Sequence, residues 1–554
     1  MQLSKYQESI LDWLKNGSGN GCCNAVAGSG KTTTLKLAGT ALQEAGYKPS
    51  EIKIIVFGKA NSQDLIKKFG EGWENSISTL HSAGWAICKA NYGTGKIQSN
   101  KYRAIAQDLG FLPKPRNPAR GSLHGIIKDD DFVKLLDLSR LTNLLDVRGG
   151  SVLDLCEHFE IDEPQDSDLV AEAIERCHRQ GINQAIESSL FDFTDQIWLP
   201  VRMNLRSNGF KFVLVDECQD LNAVQLELAC KLAGKDGRML FVGDPRQAIM
   251  GFAGADCDSY RKILQRVEGL ELPLSICYRC PGDVIKLVRR EFPEIPIEPR
   301  DDAPNGEIRT LKEDDLDKHL TTGDMVIGRK TAPLVSLCIK LIGQGVKATV
   351  KGRDIGASVR KEIEGIEKTN IPYHQFFQAV TIYKQQRFEA FSYKENAEQL
   401  QDQLNDKIDA LIAVKEANPR IMSYQGLAEA LEELFSDDSS PITLSTIHRS
   451  KGLEAERVFI IRPNDLPMHW ENQSDWQLEQ EYNLLYVALT RTKQELFIVK
   501  YGKQALPSWA DSLDDEIADD EPAYQPSALE RLKARLEKQI SLSNQAIRLT
   551  CYRR

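Results

Sequence analysis

The chain has 554 residues, too many for one compact domain, and its 41% hydrophobic and 27% charged residues supply several cores. Seventy Lys+Arg against eighty Asp+Glu leave a net charge of −10, which excludes non-specific coating of a polyanion but not a local basic groove. With no run of about 18 apolar residues and no signal-like N-terminus, the expectation is a cytoplasmic protein, neither secreted nor membrane-spanning, whose twelve scattered cysteines are reduced thiols.

An amphipathic helix comes first, with Leu3, Tyr6, Ile10, Leu11 and Leu14 on one side and a stop at Asn16-Gly17-Ser18-Gly19. Strand-like apolar segments then recur at 52–57, 210–217, 238–244, 324–328, 457–462 and 495–500, with helical patterns between most of them. Such runs, apolar on both faces, predict an α/β fold with buried parallel sheets. Two polar, mostly helical inserts interrupt the pattern. Residues 90–190 contain a Pro-rich stretch at 111–120, and 356–439 read as long surface helices. An acidic loop at 511–521 precedes a basic helical tail.

AVAGSGKT (25–32) fits the phosphate-loop pattern, with Ala25 in place of the first glycine. Small residues let successive N–H groups of Ala27, Gly28, Ser29 and Gly30 face phosphates at a helix N-terminus. Lys31 brings positive charge to the outer phosphates of a nucleotide, and Thr32, followed by Thr33, offers a hydroxyl to Mg²⁺. FVLVDECQD (212–220) ends an apolar strand in two carboxylates: Asp216 suits a second Mg²⁺ contact, and Glu217 can deprotonate an attacking water. The competing reading of this pair is a solvated strand end. Cys277 and Cys280, with no second pair at ligand spacing, do not read as a zinc site.

DECQD together with AVAGSGKT resembles the UvrD/PcrA/Rep group of superfamily 1 helicases. Further segments match that group in order over residues 3–499: LSKYQESIL around Gln7, FGKANSQDL (57–65), STLHSAGWAI (78–87), FDFTDQI (191–197), GDPRQAIMGFAGAD (243–256), CYRC (277–280), STIHRSKGLEAERVFI (445–460) and EYNLLYVALTRTKQELFIV (481–499). The resemblance implies two RecA-like P-loop domains with ATP between them, each carrying a mainly helical insertion. The first domain is placed at 1–89 with 191–270, and its insertion at 90–190. The second is placed at 271–355 with 440–505, its short insertion at 356–439, and the tail at 506–554.

The resemblance also implies roles. Gln7 reads adenine, Tyr278 stacks on it and Glu454 binds the ribose hydroxyl. Gln247 contacts the γ-phosphate or attacking water, while Arg279 and Arg491 act as arginine fingers. The plain alternative for both arginines is a surface ion pair, and CYRC has lost the flanking Asn and Ser usual around Arg279. Phe57, Lys59, His81, Phe252, Thr446 and His448 occupy positions that touch single strands in relatives. For Phe57 and His81 a simple core role competes. Met250, Ala253 and Thr33 replace a frequent Tyr, Arg and Arg, which reads as an altered grip.

In the first insert, residues 96–128 hold Lys96, Lys101, Arg103, Lys114, Arg116, Arg120 and Lys128 against Asp108, a net of +6 that suggests a nucleic-acid backbone contact rather than a solvated loop. The function expected from all this is an ATP- and Mg²⁺-dependent DNA helicase or translocase acting 3′ to 5′ on single strands and single-strand/duplex junctions. A protein partner would dock through the second insertion or the tail. The alternatives are a nucleic-acid-stimulated ATPase switch serving a separate nuclease and, third, an RNA helicase.

Overall fold

The computed structural model describes residues 3–114, 121–159, 161–249, 259–392, 397–435, 440–471 and 473–511. The chain divides into two units, Met1–Ala25 with Gly30–Leu274, and Val26–Ser29 with Ser275–Arg554. Both are built on wholly parallel sheets, so the fold class is mixed α/β of the RecA-like kind.

The first sheet comprises β1 (Gly21–Ala25), β2 (Ile52–Ile55), β3 (Ile77–Ser78), β4 (Phe210–Val215), β5 (Ala233–Gly243) and β6 (Leu270–Leu274). Their spatial order is β3-β2-β4-β5-β1-β6. Successive side chains of a strand point to opposite faces. Val213, Val215 and Phe241 therefore enter one core with Trp198 and Leu228, while Phe212, Leu214, Leu240 and Val242 enter the other with Leu35 and Ile10. Because the strands are parallel, the turns after β1, β2, β3, β4 and β5 share one sheet edge. That edge collects the phosphate-loop turn, Phe57, His81, Asp216 and Asp244.

The first insertion forms helices Lys101–Asp108, Asp129–Leu141, Gly149–His158 and Ser167–Ser188 around a core of its own that includes Phe132, Leu135, Val152 and Ile174. A short parallel ladder of Lys96–Ile97 on Leu190–Phe191 closes its neck.

The second sheet comprises β7 (Glu307–Lys312), β8 (Met325–Gly328), β9 (Ala348–Val350), β10 (Ile442–Thr446), β11 (Ala455–Ile460) and β12 (Thr492–Lys500), ordered β7-β12-β11-β8-β10-β9. The helices between β9 and β10 differ from expectation. Rather than lying on the surface, Ala397–Ala417 buries Leu404, Ile408, Leu411 and Val414 in the core that holds Leu334, Val335, Cys338 and Leu341 of helix Ala332–Gly343. A spacing of three and four residues puts these apolar side chains in one stripe, whatever the polarity of the rest. Asp406 fixes the contact by accepting hydrogen bonds from the N–H groups of Thr331 (2.7 Å) and Ala332 (2.8 Å).

Candidate active site and strand-facing edge

Gly28 (φ 68°) and Gly30 (φ 79°) adopt the left-handed conformation that glycine enters without a side-chain clash, bending the chain from β1 into helix Lys31–Glu44. No side chain caps this helix N-terminus, and the buried Ser29 Oγ has no hydrogen-bond partner. Ala27 is likewise buried. Lys31 Nζ lies 3.7 Å from Glu217 Oε2, and Thr32 Oγ1 donates to Asp216 Oδ2 at 3.2 Å. The neighbouring Thr33 is exposed. Lysine, threonine and both acids of the two distant motifs therefore meet where β1 and β4 end.

Burial raises the Asp216 carboxyl to about 7, helped by the Glu217 charge and opposed by Lys31. Glu217 is held at φ 49°, an uncommon backbone conformation for a residue with a Cβ. Gln219 Nε2 donates to Glu217 Oε2 at 2.7 Å, while Gln219 Oε1 accepts from the Asp244 N–H at 3.0 Å. Asp244 Oδ2 in turn accepts from Gln247 Nε2 at 2.8 Å, and burial raises the Asp244 carboxyl against the pull of Lys31. Gln219 is a site residue that sequence reasoning missed. One amide inside a motif carries no signal of its own, and its partner lies on the next strand.

Gln7, expected to read adenine, completes a capping box with Ser4 at the start of helix Lys5–Asn16, and its Nε2 donates to Thr34 Oγ1 at 3.3 Å.

In the second unit, Glu454 and Arg491 immediately precede β11 and β12 and so occupy the N-terminal edge of the sheet. Arg279 Nε donates to Glu454 Oε2 at 2.7 Å and its Nη1 to the Thr490 carbonyl at 3.1 Å. Burial pushes the Glu454 carboxyl up, but the Lys493 hydrogen bond and Arg279 together hold it below the usual carboxylate range. Arg491 is not a surface ion pair: it is 1% exposed, with Nε on the Val487 carbonyl (2.8 Å) and Nη1 on the Leu453 carbonyl (3.3 Å). Tyr278 is partly exposed, whereas Cys277 and Cys280 are buried. The hydrogen bond from Cys280 holds the Cys277 thiol down to about 7. The second sheet's opposite edge carries Thr446 at the end of β10 with His448 just beyond it, and after β8 Arg329, which is paired with Glu481 at 2.6 Å.

Residues 8–268 match the UvrD/REP helicase N-terminal domain and 441–499 the UvrD-like helicase C-terminal domain, together more than half of the chain. The chain belongs to the UvrD/REP helicase family. ATP-dependent DNA helicase Rep of Escherichia coli (strain K12) is 26% identical over 310 residues, covering 52% of this chain and 42% of Rep. The Rep protein of Salmonella typhimurium is 27% identical with the same coverage of both chains. A probable DNA helicase II homolog of Mycoplasma genitalium is 23% identical over 87% of this chain and 83% of its own. This UvrD/REP-type chain thus spans less than half the length of the two Rep relatives.

Along the same sheet edge of the UvrD/REP-type first unit, local packing holds several motif residues in place. In STLHSAG, Thr79 Oγ1 accepts from the Ser82 N–H to start the helix, and a Cβ at Gly84 would stand 2.0 Å from the Gln196 carbonyl. That close approach brings His81 face to face with Phe193, ring centroids 4.1 Å apart. Burial lowers His81 to about 4, so the stack is neutral at neutral pH, and Phe193 is 60% exposed. Phe193 is a second residue that sequence reasoning passed over; its partly exposed aromatic neighbour is invisible in the chain. Phe57 is 50% exposed, which removes its core reading, and Lys59 is exposed at the next helix start. Thr446 is buried, and burial with the Arg329 charge lowers the His448 imidazole to about 3. Phe252, Met250 and Ala253 lie outside the described residues.

One member of the basic insert is corrected. Lys101 is 1% exposed and bound to Asp195 at 2.6 Å, so it presents no charge to a ligand. Arg103 pairs with Asp130, Lys114 with Asp108 and Lys128 with Asp162. Counting charges in a sequence window missed Asp130, Asp162 and Asp195, which are supplied from beyond it. Lys96 is exposed, while Arg116 and Arg120 lie outside the described residues. Of the tail, everything after 511 is likewise outside them.

Proposed function

We propose that this chain is an ATP- and Mg²⁺-dependent superfamily 1 DNA motor, moving 3′ to 5′ on a single strand and separating duplex. The convergence of Lys31, Thr32, Asp216 and Glu217 on one sheet edge carries the reading. Thr32 and Asp216 are adjacent oxygen donors of the kind Mg²⁺ takes, and the uncapped helix start with a partnerless Ser29 hydroxyl suits phosphate. Mg²⁺ held there supplies charge neutralisation to the β- and γ-phosphates. Lys31 adds its own charge to the outer phosphates, Glu217 takes the proton of the attacking water, and Gln247 orients that water. Arg279 and Arg491 are the cations proposed to stabilise the transferred group, with Tyr278, Glu454 and Gln7 proposed for the nucleoside.

Stacking on Phe57 and on the His81–Phe193 pair supports sequence-tolerant binding of a single strand, with Lys59, Thr446 and His448 as further contacts. ATP hydrolysis measured with and without a thymidine oligonucleotide tests the reading. Wild type should be stimulated at least several-fold, and Lys31→Ala should abolish turnover in both conditions. Normal hydrolysis by Lys31→Ala would refute the site. The ion-paired insert cations Arg103 and Lys128 favour one second reading, an ATPase switch that responds to a strand without separating duplex.

A further inference from the structure

We infer that Gln219 is a positioning residue that ties the proton-accepting carboxylate Glu217 to the segment carrying Gln247. This rests on the proposed hydrolytic reading of the site. The side chain is fully buried, and both ends of its amide are engaged. Because Oε1 accepts from a backbone N–H, that of Asp244 at 3.0 Å, the orientation of the amide is fixed and Nε2 must face Glu217 Oε2, 2.7 Å away. Asp244 is held from its other side by the Arg246 N–H (3.1 Å) and the Gln247 amide (2.8 Å). A continuous line of one ion pair and three hydrogen bonds therefore runs Lys31–Glu217–Gln219–Asp244–Gln247, crossing from the end of β4 to the end of β5.

The neighbouring glycine explains how the amide fits. A Cβ on Gly243 would stand 2.5 Å from Gln219 Oε1 and 2.6 Å from Cys218 Sγ, so any side chain there displaces the bridge. A carboxylate bound by a neutral donor keeps its place without losing its charge. Movement of the Gln247 segment is transmitted through Asp244 to the group that must accept the water proton. Gln219 itself contacts neither phosphate nor nucleoside in the proposed reading and acts through Glu217 and Asp244, so the bridge governs turnover rather than nucleotide affinity.

The test is steady-state ATP hydrolysis by Gln219→Leu and Gln219→Glu in the full chain, with thermal melting of each variant. Gln219→Leu keeps the volume and loses both bonds; kcat should fall about ten- to a hundred-fold while KM for ATP stays within about twofold. Gln219→Glu keeps the volume and an acceptor for the Asp244 N–H but removes the donor to Glu217, so its kcat should fall in the same way. Gly243→Ala, which leaves the glutamine in the sequence but pushes it aside, should reproduce the kcat loss. An active wild type with Gln219→Leu turning over at the wild-type rate overturns the inference. So does a loss in which KM rises in step with the fall in kcat, or a wild-type kcat in Gln219→Glu. A wild type that hydrolyses no ATP would instead overturn the reading of the site itself.

Discussion

Asp216 sits in an environment that suits a ligand better than the empty fold. Burial lifts its carboxyl from 3.8 to about 7, so in the folded chain the protonated form is favoured and ionisation opposes folding. The stabilisation is fully present below the unfolded value and is lost as pH rises through about 7. Asp216→Asn removes this pH dependence. Its melting temperature, measured without nucleotide or Mg²⁺, should exceed that of wild type by a margin that grows from pH 5 to pH 8, while its hydrolysis is lost. Equal melting at pH 8 would show that Asp216 is not held in a desolvated state. The same scale separates what the sequence displays from what it conceals. Lys31, Thr32, Asp216 and Glu217 are legible because their chemistry is local to two short motifs. Gln219 and Phe193 are not, since their importance depends on what Asp244 and His81 place beside them.

Among the elements, the D-F-T-D turn is held by the inserted helices. Asp195 accepts from Lys101 Nζ at 2.6 Å, Tyr102 OH at 3.0 Å and Arg140 Nη1 at 3.1 Å, all in a buried setting. Asp192 accepts from Arg140 at 3.0 Å, and the two aspartates accept each other's backbone N–H. The exposed Phe193 sits between these anchors. Removing one member leaves uncompensated buried charge, so Lys101→Met should destabilise the first unit by about 3–5 kcal/mol. Chemical denaturation would measure it, and a change below about 1 kcal/mol would mean the pair is not buried in solution.

Strand elements were legible where the run was apolar on both faces, as in β2, β4 and β8. They were not legible in β7, whose outer position lets charged and apolar residues mix as EIRTLK, or in β10, where ITLST reads as a turn composition. β6 also lacked a signal, because LELPL breaks its apolar run with a charge and a proline, and it extends the first sheet to Leu274.

For the whole molecule, the net charge of −10 and the ion pairs of the insert mean that, among the described residues, the proposed strand recognition rests on stacking and a few local contacts. The second insertion is packed into the core of its own unit, so a partner that docks there meets a fixed surface. The central claim is that nucleotide turnover drives movement along DNA. Strand displacement from duplexes bearing a 3′ or a 5′ single-stranded tail, with ATP and Mg²⁺ and with Lys31→Ala as control, tests it most directly. The account predicts release from the 3′-tailed duplex by wild type, much less from the 5′-tailed one, and none by Lys31→Ala. Strand-stimulated hydrolysis with no release from either substrate would contradict it.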